Sequence, residues 1–258
     1  MATIIALTNQ KGGVGKTTSS SALAAGLFSF YNKKVLAIDL DPQGSMGFSL
    51  GLDIENCSTI YDVLKGQVNI KDAIQDTDYC DIITSNILLS SAELEFTSSD
   101  RDILLKRALL PVIAEYDYII IDTPPALNVL TVNAYAASDH LIIPMAPEIL
   151  SLLGVSQLKE TIDSVRQSVN PNLNVLGILL TKYNPRTLLA REVKEMAENI
   201  ASQIGACVFN AQIRTSVAVA EAPAHGLSIF DHAPHAKPSL DYQEFIREVV
   251  DMTSSETI

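Results

Sequence analysis

Residues 10–18 read Gln-Lys-Gly-Gly-Val-Gly-Lys-Thr-Thr. Just before them lies an apolar, β-prone run, Thr3-Ile-Ile-Ala-Leu-Thr8, and just after them Ser19-Ser-Ser-Ala-Leu-Ala-Ala-Gly-Leu27, which reads as a helix. A strand, a glycine turn and a helix start in that order make a phosphate cradle. The glycines let backbone N–H groups crowd around an anion, and the helix N-terminus adds partial positive charge. The stretch expected to hold the phosphates is Lys11, Gly12, Gly13, Val14, Gly15, Lys16, Thr17 and Thr18. In it Lys16 reaches β- and γ-phosphates and the Thr17 hydroxyl suits Mg²⁺. The general pattern G-x-x-x-x-G-K-[S/T] has a glycine where Gln10 stands, and Lys11 is a second lysine that the pattern does not require.

Working outward, four continuous apolar runs follow: Lys34–Asp39, Tyr118–Asp122, His140–Pro144 and Val175–Thr181, with a shorter one at Ala206–Phe209. They do not alternate, as expected of strands covered on both faces. Helices are expected between them at Asp100–Glu115 (with Ile103, Leu104 and Leu110 at helical spacing), Leu150–Val169, Arg186–Ile204 and Pro238–Met252. Residues 53–98 are less regular, with one strand expected at Cys80–Thr84. The alternation predicts an α/β fold, a mostly parallel twisted sheet with helices on both faces, of the P-loop NTPase kind.

In such sheets ligands sit at the carboxyl ends of the strands. Two runs end in aspartate there, Asp39 and Asp122. Either can hold Mg²⁺ opposite Thr17, directly or through water, or serve as a turn former. Asp41 lies beyond its strand in a Pro-Gln-Gly turn, where a carboxylate near the γ-phosphate could orient attacking water.

The bulk numbers agree with a globular chain. It has 258 residues, 47% apolar and 19% charged, with no apolar run of membrane-spanning length. No secretory signal is evident, and Cys57, Cys80 and Cys207 are widely spaced, so a reduced cytoplasmic chain is expected. His232 and His235 beside Asp231 read as solvated loop histidines or, less simply, a metal site. The formal net charge is −12, which gives no global attraction to DNA or anionic lipid, so any such contact needs a local basic patch.

Lys11-Gly-Gly-Val-Gly-Lys16-Thr17 resembles the deviant Walker A motif of the ParA/MinD family of ATPases. In that family the extra lysine reaches across a dimer interface to the partner's nucleotide, and the resemblance implies that role for Lys11. Asp39-Leu-Asp41-Pro-Gln-Gly44 resembles the family's switch I segment, whose second aspartate supports hydrolysis. Asp122-Thr-Pro-Pro125 resembles its Walker B and switch II segment, whose aspartate serves Mg²⁺. The similarity continues through Ser138-Asp139 and Leu141–Pro144, Glu148, Gly154, Leu180-Thr181, Arg186-Thr187 and Glu221–Gly226, and so covers essentially the whole chain. Small Soj-like members lack an added N-terminal helix-turn-helix. One ParA-type domain over 1–258 is therefore expected, with no such element and no operator-specific binding.

Carried over residue by residue, the resemblance implies Lys11, Lys16 and Asp41 as catalytic residues and Thr17, Asp39 and Asp122 as metal-binding ones, with ATP and Mg²⁺ as cofactors. It implies a homodimer on ATP binding, non-specific DNA binding, a ParB-like adaptor and no stable membrane association. Arg186 matches a position that contacts DNA in Soj-like proteins. Arg214, in Ile213-Arg-Thr-Ser-Val-Ala218, is a nearby candidate where small relatives often have Pro-Arg. Both read equally well as exposed arginines or carboxylate partners, and Lys182, Arg191 and Lys194 would widen a patch. The alternatives are a MinD-like membrane positioning ATPase and a metabolic P-loop ligase or kinase. Against the first, the tail Phe245–Ile258 carries more acid than base. Against the second, no added substrate site is visible.

Overall fold

The computed structural model describes residues 1–52 and 57–254, without the side chains of 149–157. Eight strands form one sheet: β1 (Thr3–Leu7), β2 (Val35–Asp39), β3 (Gln75–Asp76), β4 (Asp81–Ile83), β5 (Tyr118–Asp122), β6 (His140–Met145), β7 (Asn174–Tyr183) and β8 (Cys207–Arg214). Their order is β3-β4-β2-β5-β1-β6-β7-β8. Every pairing is parallel except β3 with β4. The mostly parallel α/β sheet expected from the sequence is what forms.

The continuous apolar runs are explained by the two faces. Along β5, Ile119 and Ile121 enter one buried cluster, whereas Tyr118 and Ile120 enter the other. Side chains alternate across a strand, so a strand roofed on both sides must be apolar at every position. The opening helix Lys16–Tyr31 and the closing helix Lys237–Ser254 pack together over one face, where Leu23 and Leu27 share a cluster with Phe245, Ile246 and Val249. The helix Val129–Ala137 and the buried side chains Val193 and Ala197 of Leu188–Ile204 belong to the other.

The chain departs from the sequence expectation in instructive places. Asp100–Glu115 is not one helix but a 3₁₀ turn (Arg101–Ile103), a short helix (Leu104–Leu109) and a second 3₁₀ turn (Ile113–Glu115). Pro111 supplies no N–H to continue the helical ladder, and Leu110 is left 68% exposed. The helix expected from Arg186 begins at Leu188, because the Thr187 side chain caps it by accepting the Ala190 N–H. β8 runs five residues past Phe209. Ile178 pairs with Val208 but Leu180 with Gln212, so β8 holds two extra residues in a bulge. The Glu248 carboxylate of the closing helix accepts the Asn210 and Ala211 amides at 2.9 and 2.7 Å. In the irregular region, the helix Ile60–Leu64 opens on a reciprocal Thr59–Asp62 capping box, while residues 53–56 lie outside the described residues.

Candidate nucleotide site

The loop Thr8–Gly15 leaves β1 at the centre of the sheet, between β5 and β6, where connections diverge to either side. Gly13 and Gly15 hold φ +74° and +83°, backbone that side-chain-bearing residues adopt only under strain. A Cβ on Gly12 or Gly13 would meet nothing within 4 Å and would project into the open cradle. The opening helix starts at Lys16 with no side-chain cap and no acidic residue in its first turn. Its first N–H groups have no partner within the helix, which suits an anion. Three clamps hold the loop. Asn9 donates its side-chain amide to the Pro144 carbonyl (2.8 Å), Thr181 donates its hydroxyl to the Val14 carbonyl (2.7 Å), and Thr123 donates to the Leu7 carbonyl (2.8 Å).

Lys16 is 6% exposed, and its ammonium donates to the Lys11 carbonyl at 3.3 Å. Burial lowers its pKa, against the raising effect of Asp122 and Asp41. The Thr17 hydroxyl donates to Asp122 Oδ2 at 2.6 Å, and the Ser20 hydroxyl donates to Oδ1 at 3.2 Å. Asp122 is fully buried. Burial pushes its carboxyl up to about 7, against the lowering effects of Thr17 and Lys16. Its register neighbour Asp39 is raised as well, first by burial and then by the charge of Asp122. Two buried carboxylates and two hydroxyls gather beside an uncapped helix end, with the Lys16 ammonium as their neighbouring cation. Hard oxygen ligands of this kind fit Mg²⁺. Among the described residues no group of three or more His, Cys, Asp or Glu side chains is arranged to hold a metal ion. An ion here would therefore take its remaining ligands from phosphate and water.

The candidate residues do not all stand alike. Asp39 Oδ1 accepts the Asp41 N–H and Oδ2 the Met46 N–H, both at 2.9 Å, so its immediate task is to shape the turn that carries Asp41. Asp41 is half-buried; its Oδ1 accepts the Gln43 N–H at 3.0 Å and its carbonyl the Gly44 N–H at 2.9 Å. Lys11 lies at the rim, its ammonium paired with the exposed Glu148 carboxylate. Arg186 is exposed in the loop before Leu188. Arg214 is committed elsewhere: its guanidinium makes a two-pronged pair with Asp241, with Nε donating at 2.8 Å, and also donates to the Lys237 carbonyl at 3.3 Å. An incoming phosphate would have to displace Asp241. Arg191 and Lys194 share their helix with Glu192, Glu195 and Glu198, so that surface carries no net positive charge. His232 stacks on His225 at 5.1 Å and sits 3.9 Å from Glu221.

Sequence reasoning gave no role to Asn9, Ser20 or Thr181. Ser20 lies four residues from Lys16 on the first helix, and that spacing is the one local signal available; Asn9 reaches Pro144 on β6, and Thr181 reaches Val14 from β7, both far off in sequence.

A family model for an AAA domain matches residues 2–175. The sporulation initiation inhibitor protein Soj of Bacillus subtilis is 40% identical over 255 residues, covering 96% of this chain and 98% of Soj. The chromosome partitioning protein ParA of Myxococcus xanthus is 39% identical over 251 residues, covering 96% and 87%. Among solved structures, cobyrinic acid a,c-diamide synthase from Mycobacterium smegmatis with bound ADP and magnesium superimposes with a TM-score of 0.85. It is 34% identical, over 99% of this chain and 97% of that one.

Proposed function

The chain belongs to the ParA/Soj-like partition ATPases and uses ATP and Mg²⁺, and from that premise we propose that it is a dimerising positioning switch. ATP-bound protomers pair through the face bearing Lys11. The pair holds DNA without sequence preference, and partner-stimulated hydrolysis releases it, so that a plasmid, chromosome or other cargo is moved or placed. The observation that carries this reading is the presence of two lysines at one cradle. Lys16 is buried within the loop, whereas Lys11 stands at the rim, its ammonium paired with the exposed Glu148 carboxylate.

In this reading the N–H groups of Gly13 to Thr18 bind phosphate oxygens, and Lys16 exchanges the Lys11 carbonyl for the β- and γ-phosphates. Thr17 and Asp122 hold Mg²⁺, which when bound neutralises phosphate charge. Asp39 fixes the turn and Asp41 orients the attacking water. Lys11 neutralises charge on the partner's nucleotide. With a net charge of −12, DNA contact is local. Arg186 is the best-placed cation, and pairing of two protomers doubles it.

The reading is tested by a band shift on random-sequence DNA with a non-hydrolysable ATP analogue and, separately, with ADP. Retention with the analogue alone is expected; equal mobility in both would remove DNA from the function. A ParB-like adaptor with a basic tail should raise ATP turnover. The likeness to the diamide synthase favours a second reading, ATP-dependent amidation of a carboxylate. It predicts turnover that depends on a corrinoid carboxylic acid and an ammonia donor, with indifference to DNA. A membrane role is disfavoured. Among the described residues no helix is long and apolar enough to cross a bilayer, and the closing helix carries Asp241, Glu244, Glu248 and Asp251 against Lys237 and Arg247.

A further inference from the structure

Both partners of the rim ion pair are placed by neighbouring strand ends. Asn9, just past β1, gives its amide to the Pro144 carbonyl of β6 and accepts the Lys11 N–H at 2.9 Å. The start of the loop is thus pinned to β6. Three residues beyond the end of β6, the Glu148 N–H donates to the Ala146 carbonyl at 2.8 Å, and its carboxylate meets the Lys11 ammonium. Glu148 precedes the helix Ile149–Ser168, yet its side chain caps none of that helix's amides, so the carboxylate is free for Lys11. A second cation acts on it. Lys182 follows Thr181, which holds the loop from β7, and lies on left-handed backbone at φ +49°. Lys11 first, and then Lys182, hold the Glu148 carboxyl below its ordinary range.

We propose that Glu148 is a latch: it keeps the rim lysine on its own protomer until the phosphates of a partner's nucleotide draw Lys11 away. This rests on the reading that Lys11 acts across a dimer. The Lys11 and Glu148 side chains are 27% and 56% exposed, so the pair is weak enough to exchange. Once Lys11 leaves, the 56%-exposed Glu148 carboxylate is solvated by water, and no buried stranded charge opposes the opening. A phosphate cluster carries more charge than one carboxylate and outcompetes it, whereas an empty or ADP-bound partner does not offer the same pull.

Glu148→Gln keeps the shape and removes the charge. Each dimer opens two latches, so an exposed pair of ordinary strength corresponds to a dimer dissociation constant lowered about two- to thirtyfold. The measurement is sedimentation velocity over a concentration series with a non-hydrolysable ATP analogue and Mg²⁺. It compares wild type, Glu148→Gln, Glu148→Ala, Lys11→Ala and the Lys11→Ala/Glu148→Gln double variant. Tighter dimers for both Glu148 variants, with no such gain in the Lys11→Ala background, are expected. Unchanged or weaker dimers for Glu148→Gln, while wild type dimerises and Lys11→Ala does not, would overturn the latch and leave the role of Lys11 standing. A wild type that stays a single protomer would overturn the dimer reading and the latch with it.

Discussion

Replacing Asp122 with asparagine should stabilise the nucleotide-free protein at pH 8, even though it removes the carboxylate proposed to hold the metal. Asp122 is fully buried and burial pushes its carboxyl up to about 7, against about 3.9 in an unfolded chain. The folded state therefore binds this proton more tightly than the unfolded state. The resulting stability is full below about pH 4 and is lost as pH rises through about 7. Integrating the two titrations, the Asp122 carboxyl costs the fold roughly 1–2 kcal/mol at pH 5 and about 4 kcal/mol at pH 8, relative to its protonated form in both states. Asparagine does not titrate. At pH 5 the folded wild-type carboxyl is mostly neutral and carries only the smaller cost of taking up its proton on folding; beyond that, the two chains differ in how Thr17 and Ser20 meet a carboxyl or an amide. Both hydroxyls can rotate, and that difference is within about 1 kcal/mol. The advantage of Asp122→Asn should therefore grow by roughly 2–3 kcal/mol between pH 5 and pH 8. Relief of Asp39, which feels the charge of Asp122, acts in the same direction. The assay is urea unfolding at pH 5, 6, 7 and 8 in a chelator without nucleotide. A stability difference that stays constant across that range would refute a carboxyl raised by burial. Mg²⁺ with nucleotide should flatten the wild-type pH dependence and release a fraction of a proton at neutral pH, readable by calorimetry in two buffers.

Thr181→Val removes the hydroxyl that holds the Val14 carbonyl. It should cost about 1 kcal/mol of stability and weaken nucleotide binding measured by fluorescent-analogue titration; unaltered affinity would exclude Thr181 as a clamp on the loop. Arg186→Ala should abolish analogue-dependent DNA retention without changing the melting temperature, whereas Arg214→Ala should lower the melting temperature by breaking the Asp241 pair; the opposite pattern would reverse the assignment of the two arginines. Gly51 has φ +80°, and a Cβ there would lie 2.7 Å from the Gly226 carbonyl oxygen. Gly51→Ala should cost at least about 2 kcal/mol and lower the melting temperature by roughly 4–8 °C; a melt within a degree of wild type would show that the two loops part freely.

The local features of the site were readable because they are local. The strand Thr3–Leu7, the glycine loop and the helix Lys16–Tyr31 are contiguous, and each element is specified by neighbours in the chain. Strand runs such as Tyr118–Ile121 were legible because burial on both faces demands uninterrupted apolar residues. Asp100–Glu115 misled for the converse reason: its apolar spacing fits a helix, but Pro111 breaks the backbone regardless of spacing, and Leu110 ends exposed. β8 misled because Asn210 and Gln212 interrupt its apolar run, and the carboxylate that holds the Asn210 amide lies on the closing helix, 38 residues away.

The residues alone determined that a glycine loop would join a strand to a helix start, with two lysines and three aspartates on hand. That is short-range chemistry, set by glycine dihedrals, helix ends and strand ends. Only the folded chain decided who meets whom. It brings Thr17 to Asp122 across 105 residues, Lys11 to Glu148 across 137, and Thr181 to Val14 across 167. It also turns Asp39 toward the Asp41 loop and Arg214 toward Asp241. Such pairings depend on strand order and register, and these are settled by burying both faces of the whole sheet at once, so no single segment encodes them.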